Sequence, residues 1–133
     1  MKLPTHLSHK PVICMENGDE TDEYEEKNTD PCFVSLGRAS WSGDEFVPGI
    51  KVMRNCNGKW SGQSEETTIN RALDMAYLVE RAYDYFVNGN EAAFSEEADG
   101  ISLCEYAGSQ ENVDKLREYF LKHKDEIGKK INR

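Results

Sequence analysis

Basic residues are scarce in this chain: Lys and Arg number 16 against 25 Asp and Glu, leaving a formal charge of −9. Affinity for nucleic acid depends on neutralising phosphates with Lys and Arg, so this balance argues against a general nucleic-acid binder. An anionic membrane surface is disfavoured for the same reason. Long hydrophobic runs are also missing. No stretch approaches the roughly 20 apolar residues of a membrane span, and the start, Met1-Lys2-Leu3-Pro4-Thr5-His6, has no apolar signal core. The expected location is therefore the cytoplasm. Cysteine is sparse: Cys14, Cys32, Cys56 and Cys104 stand far apart with no C-x-x-C pair, which argues against a zinc knuckle or a dithiol redox motif. In a reducing compartment they read as free thiols. No G-x-S-x-G elbow, no phosphate-binding G-x-x-x-x-G-K-[ST] loop and no H-E-x-x-H helix occurs. The sequence thus points to no catalytic residue, no cofactor and no metal ion.

What is present suits a small globular protein. At 133 residues, 38% of them hydrophobic, the expectation is one domain over 1–133. Residues 16–30 carry eight acids against Lys27 alone and offer little to bury, so they read as an exposed, mobile loop. The acids from Asp19 to Glu23 lack the spacing of a calcium loop. Pro11-Val12-Ile13-Cys14-Met15 is a first apolar run. From Cys32 the pattern becomes β-like, through Phe33-Val34-Ser35-Leu36 and a kink at Gly37. Turn pairs follow between Ser42 and Gly49, then the alternating Ile50 to Arg54, then a tight turn at Asn55 to Gly58 into Lys59-Trp60-Ser61. This predicts an antiparallel meander of about three strands over residues 32–61.

The period changes at Ser64-Glu65-Glu66-Thr67, where a capping hydroxyl precedes acids suited to the first turn of a helix. A helix is expected over 66–88, stopped by Gly89. A short helix is expected within Asn90 to Glu97, and Gly100 to Tyr106 reads as a late strand or an irregular segment. A second long helix is expected over 110–130, opened by the capping-box pattern Ser109-Gln110-Glu111-Asn112, with Val113, Leu116, Phe120, Ile127 and Ile131 along its apolar side. The predicted fold is α+β, a small antiparallel sheet packed by two long amphipathic helices.

Several residues are candidates for a site. At about 100° per residue, Ile69, Ala72, Leu73, Ala76, Val79, Tyr83, Phe86 and Val87 share one broad arc whose centre falls near Glu80, while Leu78 falls opposite. A carboxylate there must be paired or near an opening. It is either a structural partner of Arg38 or Arg54, or a base or ligand-fixing group in a cleft. Arg38, Trp41, Arg54 and Trp60 on neighbouring strands would present guanidinium groups beside indoles, as a planar or anionic ligand requires; core and edge packing is the plainer use of these residues. His6-x-x-His9 with Cys14 is a poor metal signature, and His123 reads as a boundary histidine on the last helix.

Three stretches together carry a resemblance: Leu3-Pro4-Thr5-His6-Leu7-Ser8-His9-Lys10-Pro11-Val12, Ser35-Leu36-Gly37-Arg38-Ala39-Ser40-Trp41, and Lys59-Trp60-Ser61-Gly62-Gln63-Ser64-Glu65-Glu66 running into Arg71-Ala72-Leu73-Asp74. Their order resembles a family of small, functionally uncharacterised bacterial proteins. The resemblance implies no catalytic or binding residue, and it directs attention to the corner where these stretches meet. The leading expectation is a non-enzymatic interaction or regulatory module that binds a protein partner through the Trp/Arg face, the acidic loop, or both. The alternative is a small enzyme or ligand-binding protein with a pocket lined by Glu80, Arg38 and Arg54. A third is self-association through Leu78 and a free edge strand, so the chain is expected as a monomer or a homodimer.

Overall fold

The computed structural model describes residues 6–16, 29–56, 59–60, 65–97 and 99–133. The acidic stretch from 17 to 28 lies outside the described residues, and its predicted ends belong to strands, Glu16 to the first and Thr29 and Asp30 to the second. The architecture is α+β. Length alone argues for one domain; the contacts divide the chain into two compact units, Met1–Leu73 and Asp74–Arg133. Among the described residues, the buried apolar side chains of the first are Phe33, Ala39 and Met53, and those of the second Phe86, Ala93 and Phe120.

The first unit is an antiparallel sheet of five strands: β1 (Lys10–Glu16), β2 (Thr29–Arg38), β3 (Pro48–Cys56), β4 (Lys59–Trp60) and β5 (Glu65–Thr67). β2 lies between β1 and β3, while β4 and β5 both pair with β3. The β2–β3 ladder sets Phe33 against Met53, Ser35 against Lys51 and Gly37 against Gly49. All six are buried, while Val34, Leu36, Ile50 and Val52 on the other face are half-buried, the period-2 signature of a strand pair. The expected alternation in β3 is present, but the more deeply buried face carries Gly49, Lys51 and Met53.

The β2–β3 connection is tied by local bonds. Ala39 N donates to the Val47 carbonyl at 2.8 Å and Ser42 N to the Ala39 carbonyl at 3.0 Å. The Ser42 hydroxyl donates to Val47 O and accepts from Val47 N.

β5 corrects the predicted start of the first helix. Glu65–Thr67 pairs with Ile50–Val52 as a strand, because the open edge of β3 supplies backbone partners that outweigh a local cap signal. The helix is α1 (Ile69–Phe86), and its cap is Thr68, which accepts from Arg71 N through its hydroxyl at 3.1 Å and from Ala72 N through its carbonyl at 3.0 Å. Past its end Gly89 has φ +70°, the left-handed turn glycine favours. The short helix expected next is a single 3-10 turn, Glu91–Ala93, capped by the Asn90 side chain on Ala92 N; residues 101–105 are irregular.

The second long helix is two. α2 (Ser109–Lys122) and α3 (Lys124–Ile131) are separated by His123, whose ψ of 18° breaks the ladder. No Gly or Pro marks that point, so local propensity gives no warning of it. Gly108, with φ +84° and no side-chain bond, caps α2 in place of the predicted Ser109. The core of this unit is aromatic: Phe86 meets Phe120 at 5.6 Å between centroids, and Tyr85 stacks on Phe94 at 4.5 Å. Tyr83 packs on Gly128, where a Cβ would come within 2.7 Å of its hydroxyl, and donates to the Lys124 carbonyl. Among the described residues, no helix is long and apolar enough to cross a membrane.

Candidate functional site

The face of the sheet that carries Ser35 and Lys51 is built from small residues. Ser35 and Gly37 alternate along β2, Ala39 continues the pattern just past its end and leads to Ser40, and Gly49 faces Gly37 from β3. A Cβ on Gly37 would collide with the Lys10 carbonyl and lie 2.8 Å from Pro11 Cα, so the chain entering β1 runs directly over this glycine. That approach brings His9, the residue before β1, onto the face. A Cβ on Gly49 would stand 3.1 Å from the Glu66 carboxylate and 2.9 Å from Ala39 Cβ.

Into the space so left come His9 and Glu66. Glu66 shares the face because it is opposite Lys51, which is opposite Ser35. His9 Nδ1 donates to Glu66 Oε1 at 2.7 Å, which leaves Nε2 of the neutral ring to accept from the Ser35 hydroxyl at 2.9 Å. Ser40 closes the cluster, its N–H donating to Glu66 Oε1 at 3.0 Å and its hydroxyl to Oε2 at 2.6 Å. Burial pushes the Glu66 carboxyl up, but the bonds from Ser40 and His9 outweigh it and hold it below its ordinary value. His9 and Ser35 expose 0% of their surface and the Glu66 side chain 1%.

Hydroxyl, imidazole and carboxylate follow in the order of an acyl-transfer triad. Two features turn the cluster toward structure instead. Ser35 is fully buried, where no substrate touches its oxygen, and it lies in the middle of a strand paired on both sides, where backbone N–H groups serve the ladder and not an oxyanion. The cluster is a polar pin that joins the segment before β1 to β2, to the turn after it, and to β5. Each of the three stretches that carry the family resemblance contributes: His9 from the first, Ser35 and Ser40 from the second, Glu66 from the third. No periodicity links them, since His9 and Glu66 are 57 positions apart. The one local signal is the run of Ser, Gly and Ala on alternate positions along and just past β2, a strand face too small to fill its own space.

The residues singled out by sequence lie elsewhere. Arg38, at the end of β2, donates to the Gly43 carbonyl at 2.6 Å and sits over the Phe46 ring at 5.7 Å, so it holds its own loop. Arg38 pairs with Pro48 and Arg54 with Pro31, which puts the two arginines at opposite ends of the ladder, about 20 Å apart along β3. Trp60 is placed by its backbone pairing with Asn55, near Arg54, whereas Trp41 follows β2 at the other end and is exposed. The strand pairing thus sets Arg38 and Trp41 at one end of the ladder and Arg54 and Trp60 at the other. Glu80 is exposed and not buried. Leu78 and Ala82 stand on the same side of α1 as Phe86, which meets Phe120 of α2, and at about 100° per residue Glu80 points away from that side. His9 is no surface ligand, because both ring nitrogens are engaged. His123 is a half-buried boundary residue beside the Tyr119 ring, at 4.4 Å.

A second feature belongs to the helical unit. Leu78, Ala82 and Phe86 of α1, Val113 and Leu116 of α2, and the irregular segment through Ile101, Leu103 and Tyr106 enclose a groove of about 280 Å³. Phe86 is its buried floor, while Leu78, Leu103, Tyr106 and Leu116 expose between 40% and 58% of their surface. Its polar groups are few, Ser102, Ser109 and Asn112 with the Cys104 thiol, and Asn112 is occupied in donating to the Tyr106 hydroxyl at 3.0 Å. Such a lining suits apolar contact.

Residues 1–131 match the model of a family of unknown function, DUF6530, and the chain belongs to that family. No curated protein and no solved structure matches it.

Proposed function

We propose that this member of DUF6530 is a non-enzymatic interaction module whose helical unit receives a partner protein in the groove between α1 and α2. The observation that carries the reading is the groove itself. Four large apolar side chains stand open around a buried phenylalanine, an arrangement that leaves apolar surface in water unless something covers it. Exposed Met75 and Tyr119, each three residues from a groove leucine on its own helix, extend the surface on which a partner would rest. The buried pin of the sheet unit supports the same reading, since it gives rigidity and presents no reactive atom. A cytoplasmic location belongs to the proposal and is supported by the free, exposed thiols of Cys14 and Cys104.

An environment-sensitive apolar dye tests whether the groove is open. The wild-type protein binds the dye with a fluorescence gain, and Leu116→Gln, which places an amide in the lining, removes most of that gain while the helical circular dichroism is retained. Equal fluorescence from the two proteins removes the groove as the binding surface.

A further inference from the structure

The segment that forms one wall of the groove is strongly one-signed. Between residues 91 and 114 there are seven acids, Glu91, Glu96, Glu97, Asp99, Glu105, Glu111 and Asp114, and no Lys, Arg or His. Glu96, Glu97 and Asp99 lie between the lining residues Phe94 and Ile101, and Glu105 lies between Cys104 and Tyr106. All four are exposed, and none makes an ion pair with a described residue. The nearest bases in sequence are already engaged, Lys115 with Glu111 and Arg117 with Asp114.

We infer that the partner is a basic amphipathic helix, a step that rests on the reading of the groove as a partner site. Its apolar side chains at i, i+4 and i+7 would lie against Leu78, Leu103 and Leu116, and its Lys and Arg residues would answer Glu96, Glu97, Asp99 and Glu105. Two helices walling an apolar trough is the geometry into which an amphipathic helix packs. Charge decides against the nearest competitor. A second copy of this chain brings its own −9, and its helical unit would meet the acidic wall with an equally acidic wall, a like-charge juxtaposition that disfavours association. Complementary charge accelerates encounter and selects partner, and its contribution to affinity falls with salt.

The test uses the full chain and three labelled synthetic peptides of about 18 residues, roughly five helical turns, with one leucine pattern and with Lys, Gln or Glu at the polar positions. Fluorescence anisotropy at low salt is expected to show the Lys peptide binding at least roughly tenfold more tightly than the Gln peptide, with the preference shrinking as salt rises. The Glu peptide is expected to be weakest. The fourfold variant Glu96→Gln, Glu97→Gln, Asp99→Asn, Glu105→Gln erases the preference, and Leu116→Gln abolishes binding of all three. Equal binding of the Lys and Gln peptides, or a preference that survives the fourfold variant, overturns the basic partner. Dye uptake lost in Leu116→Gln without binding of any peptide also overturns it, and leaves the groove to a small apolar molecule. Sedimentation showing a dimer dispersed by Leu116→Gln assigns the groove to a second copy and overturns it likewise. Failure of the dye experiment removes the groove, and the inference with it.

Discussion

Replacing Glu66 by Gln keeps the shape of the side chain at the centre of the pin and removes its charge. The carboxylate accepts three hydrogen bonds, from His9 Nδ1, Ser40 N and the Ser40 hydroxyl, at 2.7, 3.0 and 2.6 Å. An amide can keep its oxygen toward His9 and Ser40 N, but its NH2 then faces the Ser40 hydroxyl, which must turn to accept. Two bonds lose their charge and one reverses. A bond to a charged group contributes about 1.5–3 kcal/mol and a neutral one about 0.5–1.5, so the variant should be less stable by about 2–3 kcal/mol at pH 7. The pH dependence has a definite sign. Glu66 has a folded-state value below its ordinary 4.5, so its stabilisation is fully present above that ordinary value and is lost as pH falls through the folded-state value. Urea titrations of both proteins at pH 7 and at steps down into the acid range are the assay. The stability gap should be full at pH 7 and close in acid, and hydrogen exchange at Ser40 N should be faster in the variant. A gap under about 0.5 kcal/mol at pH 7, or one that widens as pH falls, would refute the account of the pin.

The remaining predictions concern space and exposure. Gly49→Ala places a methyl 2.9 Å from Ala39 Cβ and 3.1 Å from Glu66 Oε1, and should cost about 1–3 kcal/mol by overpacking; Gly43→Ala, which meets nothing within 4 Å, is the control in the same thermal melts. Phe120→Ala empties the place opposite Phe86 and should cost about 3–5 kcal/mol, read as loss of helical circular dichroism at lower urea. Glu80→Gln alters an exposed side chain and should leave stability within about 0.5 kcal/mol; a larger loss in the same titration would restore it to a buried role.

The aromatic cluster, the groove and the pin differ in how far they can be seen from the chain. Phe86 and Phe120 fall on the predicted apolar arcs, and the helices that carry them are legible from period. The groove is only half legible. Leu78 projects opposite the predicted arc centred on Glu80, whereas in the structure Leu78 and Ala82 line the groove beside Phe86, the residue of α1 that meets Phe120 of α2. A helix that is apolar over much of its circumference has more than one face it can bury, and the neighbouring helix chooses among them. Lys51 shows the same dependence in a strand: alternation is local, but which of the two faces is covered is settled by what lies across it.

By itself the sequence determined the α+β class, the strands within 32–61, the existence of the helices and the turn at Gly89. These follow from side-chain period, turn residues and composition, which act over a few positions or over the whole chain at once. Only the tertiary structure decided that Glu65–Thr67 is a strand, that the last helix breaks at His123, that Glu80 is exposed, and that His9, Ser35, Ser40 and Glu66 meet. Each of these depends on partners far away in sequence: the open edge of β3, the passage of Lys10 over Gly37, the packing of Phe86 on Phe120. Such contacts leave no local pattern, because their free energy is realised only when the distant segments are already in place.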